Sequence, residues 1–203
     1  MAQIGLRRFR YAPMHVSELG VVTYDAPATL AGAIESKVSL NILEAKLHSD
    51  DVLKDKVTEF ADGTLTMGVD EDDDAIFSPL LGERTETYTV GSGSSAKSTT
   101  VYKSNVDDVP IFFGFGQVVP KRIAGVKKFK VEWFPKVQFK PYHNDATTKK
   151  DSLEFTTPSI EGSIFAGADG DWRKRATFDT ESEANTFLDY LFTQSTQSND
   201  NND

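Results

Sequence analysis

The stretch AIESKVSLNILEAKLHSDD, residues 33–51, decides the fold class of this chain of 203 residues. Up to Ile42, apolar residues alternate with polar ones, which is the period of a β-strand that buries one face. After Ile42 the phase of the alternation reverses, because Leu43, Ala45 and Leu47 are now the apolar positions. A reversal of phase within one strand predicts a bulge or a bend close to Ile42.

A second strand follows the first and is predicted to pair with it. Apolar and polar residues alternate again over residues 64–69, directly after the turn-forming residues Asp62 and Gly63. The polar segment HSDDVLKDK, residues 48–56, lies between the two strands. We interpret it as the tip of an extended hairpin, with an ordinary solvated loop as the alternative.

Outside this hairpin, alternation punctuated by turn residues is again the dominant pattern. Phe129, Val131 and Trp133, for example, alternate with charged residues. Gly-Phe-Gly at residues 114–116 predicts a strand whose backbone another element approaches closely. The pattern predicts a mainly β fold, a β-sandwich or a partial barrel, forming one domain over residues 1–193. Further strands are predicted at residues 85–90, 99–103, 111–119, 129–134, 137–139 and 159–165.

Two helices are predicted beside the strands. The shorter covers residues 72–81, with acidic residues at its start and a distortion at Pro79. The longer covers residues 180–192 and begins with the capping-box pair Thr180 and Glu183. Its apolar stripe is predicted to pack on the core, with docking on a neighbouring subunit as the alternative. We expect the main packing anchors of the fold to include Trp133, Trp172, Phe187, Leu188 and Leu191.

The composition excludes several classes of function. The sequence has no Cys, so a disulfide framework, a thiolate metal site and a nucleophilic Cys are impossible. The formal net charge is -9, from 31 acidic and 22 basic residues, and this excess opposes affinity for nucleic acid. Because no segment matches a secretory signal or reaches membrane-spanning length, we expect a soluble protein made in the cytoplasm. The polar tail, residues 194–203, is predicted to be disordered.

Motifs that resemble catalytic or binding sites lack the context that their chemistry requires. GSGSSAKS, residues 91–98, differs from a phosphate-binding P-loop at Ala96, and a strand is predicted where a P-loop needs a helix. We therefore interpret residues 91–98 as a hairpin tip. His15, His48 and His143 lack the spacing of a metal site. With no motif in its proper context, we expect neither an enzyme nor a bound cofactor.

Two basic segments interrupt the acidic chain. They are KRIAGVKKFK, residues 121–130, and DWRKR, residues 171–175, and both include an aromatic residue. Such segments can bind nucleic acid, but strand alternation explains their charges more simply. We interpret them as solvated or subunit-facing surfaces.

Short motifs follow one another in a fixed order between residues 4 and 172. They are IGLRRFRYAPM at residues 4–14, ATLAGAIESKVSLNILEAKLHSDD at 28–51, AIFSPLLG at 75–82, DVPIFFGFG at 108–116, EFTTPSIEGSIF at 154–165 and DGDW at 169–172. No single motif is diagnostic, but the series resembles the major tail proteins, or tail tube proteins, of siphophages that infect Gram-positive bacteria. The hairpin tip at residues 91–98 is longer than is usual there, and the C-terminal helix lies beyond the best-matching part.

The resemblance implies a structural virion protein with a fold of tail-tube type. Such proteins assemble as hexameric rings, which stack into a hollow tube through which phage DNA is ejected. The implied partners are further copies of the chain, the tape measure protein, the tail terminator and the distal tail proteins, with DNA as transient, non-specific cargo and no membrane. Assembly would take place in the bacterial host cytoplasm, and the final location would be the virion tail. By the same resemblance, the tip of the first hairpin, residues 48–56, is a candidate contact between rings. The candidate contact residues are His48, Asp50, Asp51, Lys54, Asp55 and Lys56.

In a tail tube, an acidic lumen would repel DNA phosphates and let the genome slide through. The alternative function is a monomeric β-sandwich module that binds glycans or a host surface. That alternative predicts exposed Trp or Tyr side chains clustered over a polar groove. The tube instead gives Trp133 and Trp172 packing roles.

Overall fold

The computed structural model describes residues 2–71, 73–141 and 157–197. Within these residues the chain is mainly β, with two α-helices. The first strands are β1 (Ala2–Gln3), β2 (Arg7–Val16), β3 (Val21–Tyr24), β4 (Ala28–Thr29), β5 (Ala33–Ser49) and β6 (Val52–Val69). They are followed by β7 (Arg84–Val90), β8 (Lys97–Lys103), β9 (Phe112–Ile123), β10 (Val126–Phe139), β11 (Ser159–Phe165), β12 (Lys174–Phe178) and β13 (Thr196–Gln197). The helices are α1 (Asp74–Leu81) and α2 (Glu181–Phe192).

Most of the strands form one antiparallel sheet, in the order β13-β3-β2-β9-β10-β11-β6-β5. In addition, β1 pairs with β9, β4 with β2, and β12 with β10. The pair β7-β8 forms a separate two-stranded sheet. Among the described residues, β5 pairs only with β6, so the backbone along its other edge has no strand partner.

One face of the sheet carries the larger hydrophobic core, and α1 packs against it. Phe115 of β9 and Phe134 of β10 are buried there together with Phe77 of α1. Full burial of each such side chain stabilises the fold by about 2–3 kcal/mol. The Asp73 carboxylate accepts a hydrogen bond from the Ala75 N–H and so caps the start of α1, as the acidic sequence predicts.

The opposite face of β9 and β10 is covered by α2. Val118 and Trp133 are buried against Leu188 in this second core. A Cβ atom at Gly116 would lie only 2.2 Å from the Leu188 Cδ1 atom, and one at Gly114 only 2.4 Å from the Trp133 Cη2 atom. The close approach predicted at residues 114–116 is confirmed, because only glycine leaves room there for the helix and the indole ring.

Two local predictions made from the sequence are confirmed. The register between β5 and β6 shifts after Asn41, which is paired with Asp62, whereas Ile42 is paired with Phe60. Ala61 is therefore the extra residue of a bulge at the point where the phase of the alternation reverses. At the start of α2, the predicted capping box between Thr180 and Glu183 is complete on both sides.

Two of the differences between the structure and the predictions concern strand β10 and the C-terminal tail. The strands predicted at residues 129–134 and 137–139 are one strand, which passes through Pro135 at a register shift, where the missing N–H costs no ladder hydrogen bond. The tail was expected to be disordered from residue 194, but Thr196 and Gln197 pair with β3. This pairing uses backbone groups and needs no apolar side chain. Residues 198–203 lie outside the described part of the chain.

Neither α-helix of the described chain is long and apolar enough to cross a membrane.

Candidate assembly interface

The outer half of the β5-β6 hairpin, residues 41–60, extends away from the rest of the described chain, and we call it the arm. Strand pairing continues along it as far as Ser49 and Val52. Over residues 41–59 every side chain is exposed except Ser49, which is half-buried. A two-stranded hairpin without a surface to pack on is marginally stable in water. The arm therefore has the properties of an element that packs on another molecule.

One face of the arm carries several exposed apolar side chains, together with Asp55 and Glu59, and we call it the apolar face. Leu43, Leu47 and Val52 are 63%, 61% and 62% exposed. Cross-strand pairing places Val57 beside Ala45 on this same face. The other face carries Glu44, Lys46, His48, Lys56 and Thr58, and Ile42 and Leu53 are exposed there as well. One face of the arm is therefore suited to burial, although the described chain buries neither face.

The apolar face of the arm lies on the opposite side of β5 from the core. Val38 packs against the larger core and Leu40 is half-buried on the same side. Side chains alternate along a strand, and the extra residue Ala61 belongs to β6, so the alternation within β5 is unbroken between Val38 and Leu47. Leu43 and Leu47 therefore point to the side that the core of this chain does not cover.

Two aspartates form the turn at the end of the arm. Asp50 and Asp51 have φ angles of 53° and 59°, positive at both central positions as in a type I′ turn. Aspartate tolerates this backbone region better than most residues with a side chain. The turn keeps the strands of the arm paired to their ends and exposes both carboxylates.

The other predicted contact residues lie close to this turn. The Lys56 Nζ atom is 2.7 Å from the Glu44 Oε1 atom, and the Lys56 N–H donates a hydrogen bond of 2.8 Å to the Asp55 carboxylate. His48 and Lys54 are exposed, and Lys54 is the residue left over at a register shift. Exposed ion pairs contribute about 1 kcal/mol at most, so little stability is lost if these charged side chains form ion pairs with a partner instead. The structure brings all six predicted residues to the end of one hairpin.

An aromatic stack fixes the base of the arm to the core. The rings of Phe60 and Trp172 are stacked with their centroids 4.6 Å apart and their planes at 7°. The Arg173 guanidinium carbon lies 4.4 Å from the centre of the Trp172 ring. Trp172 is half-buried and packs against the larger core. The stack therefore joins the base of the arm to the larger core.

The remaining predicted packing anchors lie between α2 and the sheet. Trp133 is 2% exposed, and its ring centre is 4.4 Å from that of Phe192 in an edge-to-face arrangement. Leu188 and Leu191 are buried in the same cluster, and Phe187 is half-buried at its edge. The apolar stripe of α2 is therefore used within its own chain.

A buried polar pair lies at the edge of the larger core. The Gln117 Nε2 atom donates a hydrogen bond of 2.8 Å to the Glu132 carboxylate, which also accepts from Lys130. Burial raises the pKa of Glu132, but these hydrogen bonds and the charges of Lys130 and Arg173 outweigh it, so its pKa lies below the usual value. Glu132 is thus ionised at neutral pH and is held in place by its hydrogen bonds. It lacks the raised pKa that a general acid needs.

Tyr24 is another titratable group with a shifted pKa in the part of the chain that the structure describes. One cavity, of about 270 Å³, is lined in part by Tyr24, whose hydroxyl donates a hydrogen bond of 2.8 Å to the Pro135 carbonyl. Burial and the charge of Asp169 raise the pKa of Tyr24 far above its usual value. Over the described ranges, no group of three or more His, Asp or Glu side chains is arranged to hold a metal ion. His143 lies outside those ranges.

The β7-β8 hairpin is a second exposed projection. Residues 91–98 form its tip, with a 3₁₀ turn at Gly93–Ser95, and the chain continues after it as strand β8. The helix that a phosphate-binding loop requires is absent from this described segment. All of its strand side chains are exposed except Val101 and Tyr102. The segment is a hairpin, as its sequence predicts.

Sequence reasoning selected the charged tip of the arm and missed its apolar face. The signal was present in the sequence as the reversal of phase after Ile42. The reversal predicted the bulge, but which face the core covers follows only from the paired strands.

No protein-family model matches the sequence, and no curated protein matches it.

Proposed function

We propose that this protein is a major tail protein of the siphophage type, with a fold of tail-tube type. Its copies assemble into hexameric rings, and the rings stack into the tube through which phage DNA is ejected. The sixfold symmetry rests on the sequence resemblance alone. The observation that carries the proposal is the apolar face of the arm, which points away from the core of its own chain.

The apolar face supports self-assembly because its burial requires another molecule. Contiguous apolar surface on a soluble protein marks an interaction site. Burying the exposed parts of Leu43, Leu47 and Val57 contributes about 1 kcal/mol for each side chain, and a ring multiplies such contacts by symmetry. The charged tip, at Asp50 and Asp51, then lies at the end of the contact and contributes specificity.

The free edge of β5 supports lateral assembly. Long exposed edge strands promote aggregation unless they are paired or covered, and β5 has 17 residues. A ring in which the sheet continues from subunit to subunit leaves no free edge around its circumference. The free edge of β5, which would promote aggregation of a monomer, would be a contact between subunits in a ring.

In this proposal the protein catalyses no reaction. It binds no cofactor, and DNA passes as non-specific cargo through an acidic lumen that repels phosphates. The tape measure protein, the tail terminator and the distal tail proteins contact the tube, which is part of the virion tail. The glycan-binding alternative is not favoured, because Trp133 is buried and Trp172 is stacked between Phe60 and Arg173.

Size-exclusion chromatography followed by negative-stain microscopy of the purified protein tests the proposal. We expect concentration-dependent assembly into rings or tubes. A protein that remains monomeric at every concentration and is stabilised by sugars would contradict the proposal and favour the glycan-binding module.

A further inference from the structure

A polar cavity lies beside the second basic segment of the sequence, residues 171–175. Its volume is about 350 Å³, which is large enough for a small polyatomic ion. Its wall is formed in part by β5, β9 and β10, and Ile34 and Glu35 on this wall are exposed, so the cavity opens to solvent. The polar side chains of the wall are Glu35, Ser36, Gln117, Glu132 and Arg173.

Arg173 brings hydrogen-bond donors to this wall that no described residue accepts. Its guanidinium carbon lies 4.4 Å from the centre of the Trp172 ring, and this stack holds the planar group in place. A guanidinium has several N–H donors and no acceptor. Among the described residues, Arg173 has no ion-pair or hydrogen-bond partner, although its side chain is half-buried. Its donors are therefore available to a ligand.

A second guanidinium lies close to the first. Arg175 of β12 pairs directly with Glu132 of β10, so these two side chains share one face of the sheet. Burial lowers the pKa of Arg173, and the nearby charge of Arg175 lowers it further, whereas the charge of Glu132 raises it. Arg175 also has no ion-pair partner in the described part of the chain. An anion between the two guanidiniums would relieve their repulsion.

The buried carboxylate of the cavity is already engaged. The Glu132 Oε1 atom accepts a hydrogen bond from Lys130, and its Oε2 atom accepts one from Gln117. Lys130 thus compensates the charge of Glu132. The wall has one further carboxylate, on the exposed Glu35, which forms no ion pair with any described residue. Two guanidiniums therefore remain beside a single unpaired carboxylate, which favours the binding of an anion.

Two buried polar atoms in side chains of the same wall have no hydrogen-bond partner among the described residues. They are the Gln117 Oε1 atom and the Ser36 Oγ atom. Gln117 is only 3% exposed. Its amide oxygen can only accept a hydrogen bond, whereas the serine hydroxyl can donate one. Because buried polar groups are normally satisfied, the two atoms indicate a ligand with both acceptors and a donor.

We propose that this cavity binds a phosphate ion, with Arg173 and Arg175 as its cationic ligands. The fork of a guanidinium matches two phosphate oxygens. A hydrogen phosphate ion also has a hydroxyl, which can donate to the Gln117 amide oxygen, and its other oxygens can accept from Ser36. An ionised carboxylate has no such donor. The inference goes beyond the proposed tail-tube function and does not depend on it.

Phosphate reaches a protein either as a free ion or as part of nucleic acid. The half-buried Arg173 lies in the wall of a cavity and not on a projecting surface. A free ion can enter such a cavity, whereas a phosphodiester within a DNA duplex is held between its two sugars. We therefore assign the site to the free ion.

Isothermal titration calorimetry of the full chain with inorganic phosphate tests the inference. Arg173→Gln and Arg175→Gln each remove one guanidinium. Arg122→Gln is the matched control, because it removes the same charge from an exposed residue that does not line the cavity. We expect one phosphate per wild-type chain, and a dissociation constant at least about tenfold higher for each of the first two variants. The control should bind as the wild type does.

Thermal unfolding provides a second measurement. Inorganic phosphate should raise the Tm of the wild type and of Arg122→Gln by more than sodium chloride or sodium acetate does at the same ionic strength. Arg173→Gln also removes the stack on Trp172, so circular dichroism checks that it folds. Arg175→Gln leaves that stack in place and therefore tests the site even if Arg173→Gln is unstable.

Four outcomes contradict the inference. A Tm that rises no more with phosphate than with sodium chloride would show that no phosphate site exists. Folded Arg173→Gln and Arg175→Gln that both bind phosphate as the wild type does would place the bound ion elsewhere. An equal effect of acetate would show that the cavity selects charge and not phosphate. Competition by a short DNA duplex without terminal phosphates would assign the site to the nucleic-acid backbone instead of the free ion.

Discussion

At the scale of single residues, Gly116 decides how closely α2 approaches the sheet. Replacing it with alanine adds a Cβ atom 2.2 Å from the Leu188 Cδ1 atom, so the helix or the strand must shift. We expect Gly116→Ala to lower the free energy of unfolding by about 1–3 kcal/mol, as overpacking does elsewhere.

The measurement is urea denaturation of dilute protein, followed by circular dichroism. Gly5→Ala is the control, because the nearest atom to its added Cβ atom is 4.0 Å away. Equal stabilities of the two variants would show that α2 does not pack on Gly116 as described.

Glu132 links stability to pH. Its pKa lies below the usual value of 4.5, so the folded state binds the ionised form more favourably than the unfolded state does. The resulting stability is present above about pH 4.5 and is lost as the pH falls through the folded-state pKa. We expect Glu132→Gln to cost about 1–3 kcal/mol at pH 7 and progressively less in acid.

Denaturation curves of the wild type and of Glu132→Gln from pH 7 to pH 3 test this expectation. A difference between the two proteins that is independent of pH would contradict the proposed ionised state of Glu132.

At the scale of elements, the arm offers a test with neighbouring residues on opposite faces. Leu47 lies on the apolar face and His48 on the polar face, and aspartate at either position adds one negative charge. We expect Leu47→Asp to weaken self-association at least about tenfold, because it places a charge in the buried contact. His48→Asp should have a much smaller effect.

Analytical ultracentrifugation of the two variants gives the comparison. If His48→Asp proved as damaging as Leu47→Asp, the contact would be electrostatic and the apolar face would not carry it. The unfolding of dilute monomer should be nearly unchanged in both variants, because both side chains are exposed.

A sequence pattern predicts an element well when the pattern depends only on the residues of that element. The capping box at Thr180 and Glu183 is local, and so is the alternation that ends at Ile42. Strand β2 was not predicted, because Arg8 adopts a positive φ of 56° and the register with β9 shifts between Arg7 and Arg10. Such an irregularity breaks the alternation on which strand prediction depends.

The candidate site could be predicted only in part for a related reason. The charged turn at Asp50 and Asp51 is visible in the sequence as a polar segment between strands. The apolar face of the arm looks like any half-buried strand, and its exposure depends on the long-range placement of β5 at the end of the sheet. Pairing across the sheet, which local sequence does not encode, decides what remains uncovered.

At the scale of the whole molecule, two features have one explanation in the proposed self-assembly. They are an arm with an uncovered apolar face and a free edge along β5. Each is costly or hazardous in a monomer. In a stacked tube the first would be a contact between rings, and the second would be a contact within a ring.

The central claim is tested most directly by negative-stain microscopy of the purified wild-type protein beside Leu47→Asp, each examined over a range of concentrations. The account predicts rings or tubes of uniform diameter for the wild type and mainly monomers for the variant. Wild-type protein that shows only monomers at high concentration, or tubes that form equally well with Leu47→Asp, would contradict it.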